Sequence, residues 1–124
     1  MKLSNYRSVV NVHDVEWEPY SIQGREQVDC SWHNISYDDS GSGTFLFRFK
    51  ANGTSIPHEH LGWEEFLVIE GEIEECDGSV YRAGDLVSLS PGSKHWSGSK
   101  SGAVALVFVR GGFRTLPADE SVHD

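Results

Sequence analysis

Glycine limits what this chain can fold into more than any other residue type. It recurs at positions 41, 43, 53, 62, 71, 78, 84, 92, 98, 102, 111 and 112. Breaks at such short intervals leave little room for long helices, and no segment carries a helical apolar period over three turns. Between the glycines lie β-rich runs: Val28 to Tyr37, Thr44 to Lys50, Glu65 to Glu70, Glu72 to Cys76, Ser79 to Arg82, Asp85 to Leu89 and Ala103 to Arg110. Short strands joined by tight turns predict an all-β protein.

Two of these runs differ in pattern. Thr44-Phe45-Leu46-Phe47-Arg48-Phe49-Lys50 alternates, so three phenylalanines share a buried face while Arg48 and Lys50 point away. Glu65-Phe66-Leu67-Val68-Ile69-Glu70 is apolar on both faces, which predicts a central strand covered outside by another strand or by a partner subunit. A homodimer is the expected assembly. Asp38 to Gly43 reads as a polar hairpin connection, and Leu116 to Asp124, with Pro117 and no periodicity, as a loose tail.

With 124 residues and 38% hydrophobic content there is material for a single domain with one core. The expected layout is an N-terminal strand region over 8–27, a barrel core over about 28–114 and the tail over 116–124. The net charge of −9, with basic residues scattered, disfavours nucleic acid and anionic membrane as partners. The N-terminus has no apolar stretch of signal-peptide length and no run is long enough to cross a bilayer, so a cytoplasmic location is expected. Cys30 and Cys76 form no CxxC pair and read as free thiols filling space.

The chemistry concentrates in Pro57-His58-Glu59-His60-Leu61-Gly62-Trp63-Glu64. Residues two apart on an extended backbone project from one face, so His58 and His60 can close on a single ion. Leu61-Gly62-Trp63 reads as a short turn that returns Glu64 roughly opposite His60. Glu65, the competing carboxylate, alternates away. A second stretch, Gly84 to His95, brings His95 to the end of a strand after the Pro91-Gly92 turn. Imidazole and carboxylate donors together suit zinc, iron, manganese or nickel rather than calcium. The expected ligands of one divalent ion are therefore His58, His60, Glu64 and His95. Phe66 and Val68 share Glu64's side of their strand and are expected to line the cavity, with Phe47 and Phe108 joining them and Trp63 and Trp96 at the rim. His33 reads as an ordinary half-buried histidine, His13 and His123 as surface residues, and Arg48 and Arg110 as solvated.

These two stretches resemble the paired motifs of the cupin superfamily: His58, His60, Glu64 and Gly71 in the first, Gly84, Gly92 and His95 in the second. Ser90 replaces the usual proline, Ser99 stands where asparagine is frequent, and one residue fewer separates Gly53 from His58. More narrowly, PHEHLGWEEFLVIEG with YRAGDLVSLSPGSKHWSGSKSG is similar to the cupin domain of ChrR-type anti-sigma factors and to acetylacetone-cleaving dioxygenases, over roughly residues 12 to 114. The resemblance implies a double-stranded β-helix, a jelly-roll barrel, around one metal ion. It also implies a metal-dependent enzyme of the dioxygenase sort on a small oxygenated molecule such as a diketone. The anti-sigma likeness implies, as the alternative, a non-catalytic zinc-stabilised module that senses a small molecule or oxidant. Isomerase or lyase chemistry is a third reading and requires a Tyr or Lys base beside the ion. Acetylacetone-cleaving enzymes use three histidines without the carboxylate, whereas Glu64 is present here. The helical domain that grips sigma factor in ChrR-type proteins has no counterpart in the sequence.

Overall fold

The computed structural model describes residues 1–22 and 24–117, and the expectations for His123 and for most of the tail lie outside them. Twelve strands follow a 3-10 turn at Leu3–Asn5: β1 (Glu18–Ile22), β2 (Arg25–Asn34), β3 (Gly43–Phe49), β4 (Gly53–Thr54), β5 (His58–His60), β6 (Glu64–Glu75), β7 (Val80–Arg82), β8 (Leu86–Leu89), β9 (Lys94–His95), β10 (Ser97–Ser99), β11 (Ala103–Val109) and β12 (Phe113–Thr115). No described residue is in an α-helix, and no helix is long and apolar enough to cross a membrane. The larger sheet runs β1-β2-β3-β11-β6-β10-β4, with β7 and β8 also on β6, and curls as a half-barrel over a three-stranded sheet ordered β12-β5-β9. Every pairing among the described residues is antiparallel.

The core lies on the concave side. Phe45 and Phe49 of β3 meet Ala103, Ala105, Val107 and Val109 of β11, which in turn meet Phe66 and Val68 of β6. Small residues on the central β11 let aromatic rings from both neighbours fill the space above it. Those rings contact one another edge to face: Phe45, Phe47 and Phe49 form a run with centroids 6.5 and 5.0 Å apart, joined by Tyr20 and Trp32.

The run Glu65–Cys76 departs from expectation. Glycine 71 was expected to separate two strands, yet β6 passes through it. Ala105 lies opposite Val68 but Val104 opposite Glu70, so Ile69 is an extra residue, a bulge, and Gly71 follows with φ 75°. Residues 64 to 71 pair within one wall, and 72 to 75 turn into the next, where they meet β7 and β10. The bulge also reverses parity. Before it the inward residues are Glu64, Phe66 and Val68; after it they are Ile73 and Glu75.

The outer face is covered over only part of its area. Leu46 and Val104 point outward yet are buried. The N-terminal segment lies against this face: the Glu16 carbonyl accepts from His33 Nδ1 at 3.0 Å, Arg48 stacks 4.7 Å from the Trp17 ring, and His13 pairs with Glu70 at 3.6 Å. Leu67, Leu86 and Phe108 remain exposed by 36%, 68% and 44%, so among the described residues no strand covers the outside of β6 there.

Gly71 has no freedom to accept a side chain. A Cβ there would lie 2.1 Å from the Gly102 carbonyl oxygen, whereas one at Gly78, also with positive φ, meets nothing within 4 Å. Gly71→Ala is expected to cost about 3 kcal/mol or more and Gly78→Ala about 1 kcal/mol. Urea denaturation of the two variants checks the difference.

Candidate metal centre

His58 and His60 project from the same side of β5, as extended backbone dictates. His95 reaches them because β9 pairs with β5 in a register that sets His58 directly opposite His95. The ring nitrogens converge: His58 Nε2 is 3.2 Å from His60 Nε2, which is 3.0 Å from His95 Nε2. Their candidate donor atoms all lie within 4.8 Å of one another. Glu64 arrives differently from expectation. Leu61-Gly62-Trp63 does not close a hairpin, because β5 belongs to the small sheet and β6 opens in the large one. The carboxylate nevertheless crosses the gap between sheets, with Oε1 3.3 Å from His60 Nε2 and 3.7 Å from His95 Nε2. Glu65 turns outward to pair with Arg110 at 3.6 Å.

The protonation pattern tests whether these residues suit a cation. His58 Nδ1 lies 2.7 Å from the Ile56 carbonyl, which only accepts, so the proton of the neutral ring is on Nδ1. Burial, then the neighbouring His95, push His58 down to about 4, leaving it neutral with a bare Nε2 lone pair. His95 Nδ1 likewise faces a carboxylate, Glu75 Oε1, at 2.8 Å. Burial opposes charge on His95, but the hydrogen bond and charge of Glu75, with Glu64, raise it above the ordinary histidine value. Burial also opposes ionisation of Glu64, yet the His60 hydrogen bond and the three imidazoles hold it below the usual carboxylate range. Nitrogens bound at about 2.1 Å to one ion stand about 3.0 Å apart at right angles and about 3.4 Å apart at the tetrahedral angle. The His58–His60 and His60–His95 separations fall in that interval, and the three histidines are positioned to bind a metal ion.

Behind the cluster opens a cavity of about 90 Å3. Its wall is aromatic, with Tyr20, Trp32, Tyr37, Phe45, Phe47, Phe49, Phe66 and Phe113, and its few polar groups include Ser55 and Ser97. Among the described residues no Lys or Arg lines it. Phe47 and Phe66 therefore lie where the pocket was expected, but three other expected residues do not. Val68, 1% exposed, packs in the core away from the cavity. Phe108 faces out, 5.7 Å from the Arg110 guanidinium, because alternation along β11 turns Val107 and Val109 inward instead. Trp96, 38% exposed, follows His95 and so points oppositely, and Ser97 takes the inner place. Trp63 is likewise exposed. Tyr20 and Phe113 were not anticipated, since the short β1 and β12 lack the alternation that marks a strand. Cys30 is a buried free thiol whose Sγ faces the Thr54 carbonyl, and burial raises it to about 11, so it is an unreactive filler; Cys76 is also free.

A jelly-roll barrel with three imidazoles at the entrance to an apolar cavity defines a cupin. The chain belongs to the ChrR Cupin-like domain family, whose model matches residues 5–113. No curated protein matches the sequence. Among solved structures the chain is similar to an acetylacetone dioxygenase from Acinetobacter johnsonii, with TM-score 0.75 and 18% identity over 95% of this chain and 83% of that one. It is similar to the polyketide cyclase RemF from Streptomyces resistomycificus, with TM-score 0.71 and 20% identity over 92% and 88%. The Rhodobacter sphaeroides complex of SigE with the anti-sigma ChrR also matches, with TM-score 0.63 and 17% identity over 80% of this chain and 51% of that chain. At these identities the likeness establishes the fold.

Two measurements follow from the geometry. Replacing His58 and His60 together by Ala is expected to lower bound divalent metal at least about tenfold while leaving a β-type circular dichroism spectrum; elemental analysis reads the first and loss of the spectrum would make the ion structural. Burial, followed by the charges of Tyr37 and Glu64, raises the Tyr20 phenol above its ordinary value. An acid raised in the folded state lends stability that is complete below the unfolded pKa and declines above it. Stability should therefore fall from about pH 10 upward, by up to about 1.4 kcal/mol per pH unit, and Tyr20→Phe should remove that part of the decline in urea titrations.

Proposed function

We propose that the chain is a mononuclear metal-dependent enzyme of the dioxygenase type, acting on a compact, uncharged, oxygen-bearing organic molecule such as a diketone or an enolisable hydroxy-ketone. His58, His60, Glu64 and His95 are the ligands. The observation that carries the reading is the contrast between the donor cluster and the wall behind it: four polar groups converge at one point, and almost everything deeper is aromatic or aliphatic. A divalent ion bound there would supply Lewis acidity and one or two open positions for water, dioxygen or a chelating substrate.

The chain's own residues set what enters. With no Lys or Arg on the wall, a substrate carboxylate or phosphate meets no countercharge besides the ion itself, whose charge Glu64 already offsets in part. The rings of Phe47, Phe66 and Phe113 exclude water and favour a flat apolar body. Tyr20, its phenol held protonated by burial, is a hydrogen-bond donor to substrate oxygen rather than a base, which counts against the isomerase or lyase reading.

A non-catalytic zinc-stabilised binding module is the second reading, favoured by membership of the ChrR Cupin-like family. Metal identity separates the two. Protein purified without a metal-affinity step is expected to carry iron, manganese or nickel with a displaceable water; tightly held zinc without one supports the module. Loaded with ferrous iron, the protein is expected to take up dioxygen in an electrode cell when given a β-diketone and not when given its carboxylate analogue. Silence across a panel of diketones and hydroxy-ketones would sink the enzymatic reading.

We also propose that the row Leu67, Leu86 and Phe108 seats a second copy of the chain. Glu65 and Arg110 pair with each other at 3.6 Å beside this row, so no unpaired charge of theirs opposes burial of the apolar face, and a two-fold axis would set the row against itself. Sedimentation should show a dimer for the wild type and a monomer for Leu67→Lys combined with Phe108→Glu.

A further inference from the structure

Glu75 belongs to neither recognised motif, yet it is one of the most enclosed carboxylates in the molecule. Its side chain is 7% exposed, as is that of His95 beside it. Oε1 accepts from His95 Nδ1 at 2.8 Å and lies 3.3 Å from the Cys76 amide; Oε2 accepts from the Tyr81 hydroxyl at 3.0 Å. Tyr81 comes from β7, whose register sets it across from Ile73 on β6. Burying a carboxylate is costly unless its oxygens are satisfied, and here main chain, ring and phenol together satisfy them.

We propose that Glu75 is the positioning residue of the metal centre, acting through His95. The proposal rests on the reading of His95 as a ligand. It has two physical parts. As an acceptor, Glu75 keeps the His95 proton on Nδ1 and the ring turned so that the Nε2 lone pair faces His60. As an anion, it places a second negative charge one ring away from the cluster, so that Glu64 and Glu75 together balance a divalent cation held by neutral imidazoles. His58 is oriented differently, by the Ile56 main-chain carbonyl, an acceptor that a side-chain change does not remove. Of these two ring anchors, only the one on His95 is a side chain, and it carries charge. Tyr81 completes the arrangement by fixing the carboxylate from the other side.

Zinc affinity, measured by competition with a chromophoric chelator, and the His95 ring tautomer, measured by long-range proton–nitrogen NMR on metal-free protein, test the two parts separately. Glu75→Ala is expected to weaken zinc binding by about 10- to 100-fold and to release the His95 proton from Nδ1 into a mixture of tautomers. Glu75→Gln retains an acceptor oxygen without the charge, so the Nδ1–H tautomer should persist while affinity falls by less than in Glu75→Ala. A purely structural role would lower the melting temperature and leave both readouts unchanged. Glu75→Ala affinity within about twofold of wild type, or an unaltered tautomer in that variant, overturns the proposal alone. Wild-type protein that binds neither zinc nor iron, manganese or nickel overturns the metal reading and the proposal with it. Should Glu75→Ala fail to fold, Glu75→Gln decides: undiminished affinity overturns the role of the charge, and a partial loss with the tautomer kept supports it.

Discussion

Lone pairs that crowd together inside a protein need a proton or a cation between them. At the entrance of this barrel the Nε2 atoms of His58, His60 and His95 stand 3.0 to 3.2 Å apart along the cluster, and two of the three rings have their protons held on the far nitrogen. The β5–β9 register, the inward turn of Glu64 and the apolar wall behind all serve this one confrontation. Water can relieve part of it. A divalent ion relieves it fully, because it accepts every lone pair at once.

The same arrangement divides the molecule into a rigid part and a selective part. Strands β5 and β9 hold the donors from the small sheet, while β6 brings Glu64 from the large one, so the centre spans both sheets and helps to hold them together. The cavity wall is drawn from β1, β2, β3, β6, β11 and β12 and has little polarity of its own. Chemistry is therefore confined to one end and discrimination to the rest. That separation fits a site in which the ion recognises oxygen and the protein recognises shape.

What could be read from the sequence follows the reach of each physical rule. His58 and His60 were legible because a two-residue spacing on extended chain fixes a shared side, and His95 because glycine turns mark the strand that delivers it. Alternation gave Arg48 and Glu65 their outward direction and the phenylalanines of β3 their common face. The same rule turns Phe108 and Trp96 outward, since each neighbours an inward residue. The long β6 could not be read at all past Ile69, since a bulge is a matter of pairing with β11 and leaves no mark in the alternation itself. Glu75 was hidden by that slip. Leu46 and Val104 depart from the outward-polar rule because a segment some thirty or more residues upstream lies against their face, a contact no local pattern encodes.

The bulge at Ile69 is in effect a gear between two counting schemes along one strand. Glu64 and Glu75 are an odd number of residues apart, so on a regular strand they would leave opposite sides of the sheet; one inserted residue brings both to the interior. The register of β6 against β11 thus determines how many negative charges surround the donor cluster. Flattening the bulge at constant length would leave the motif untouched in sequence, turn Glu75 to the outside and halve the electrostatic counterweight of the cluster. A chain bearing every recognisable ligand can accordingly differ in affinity for its ion through the pairing register of one strand alone.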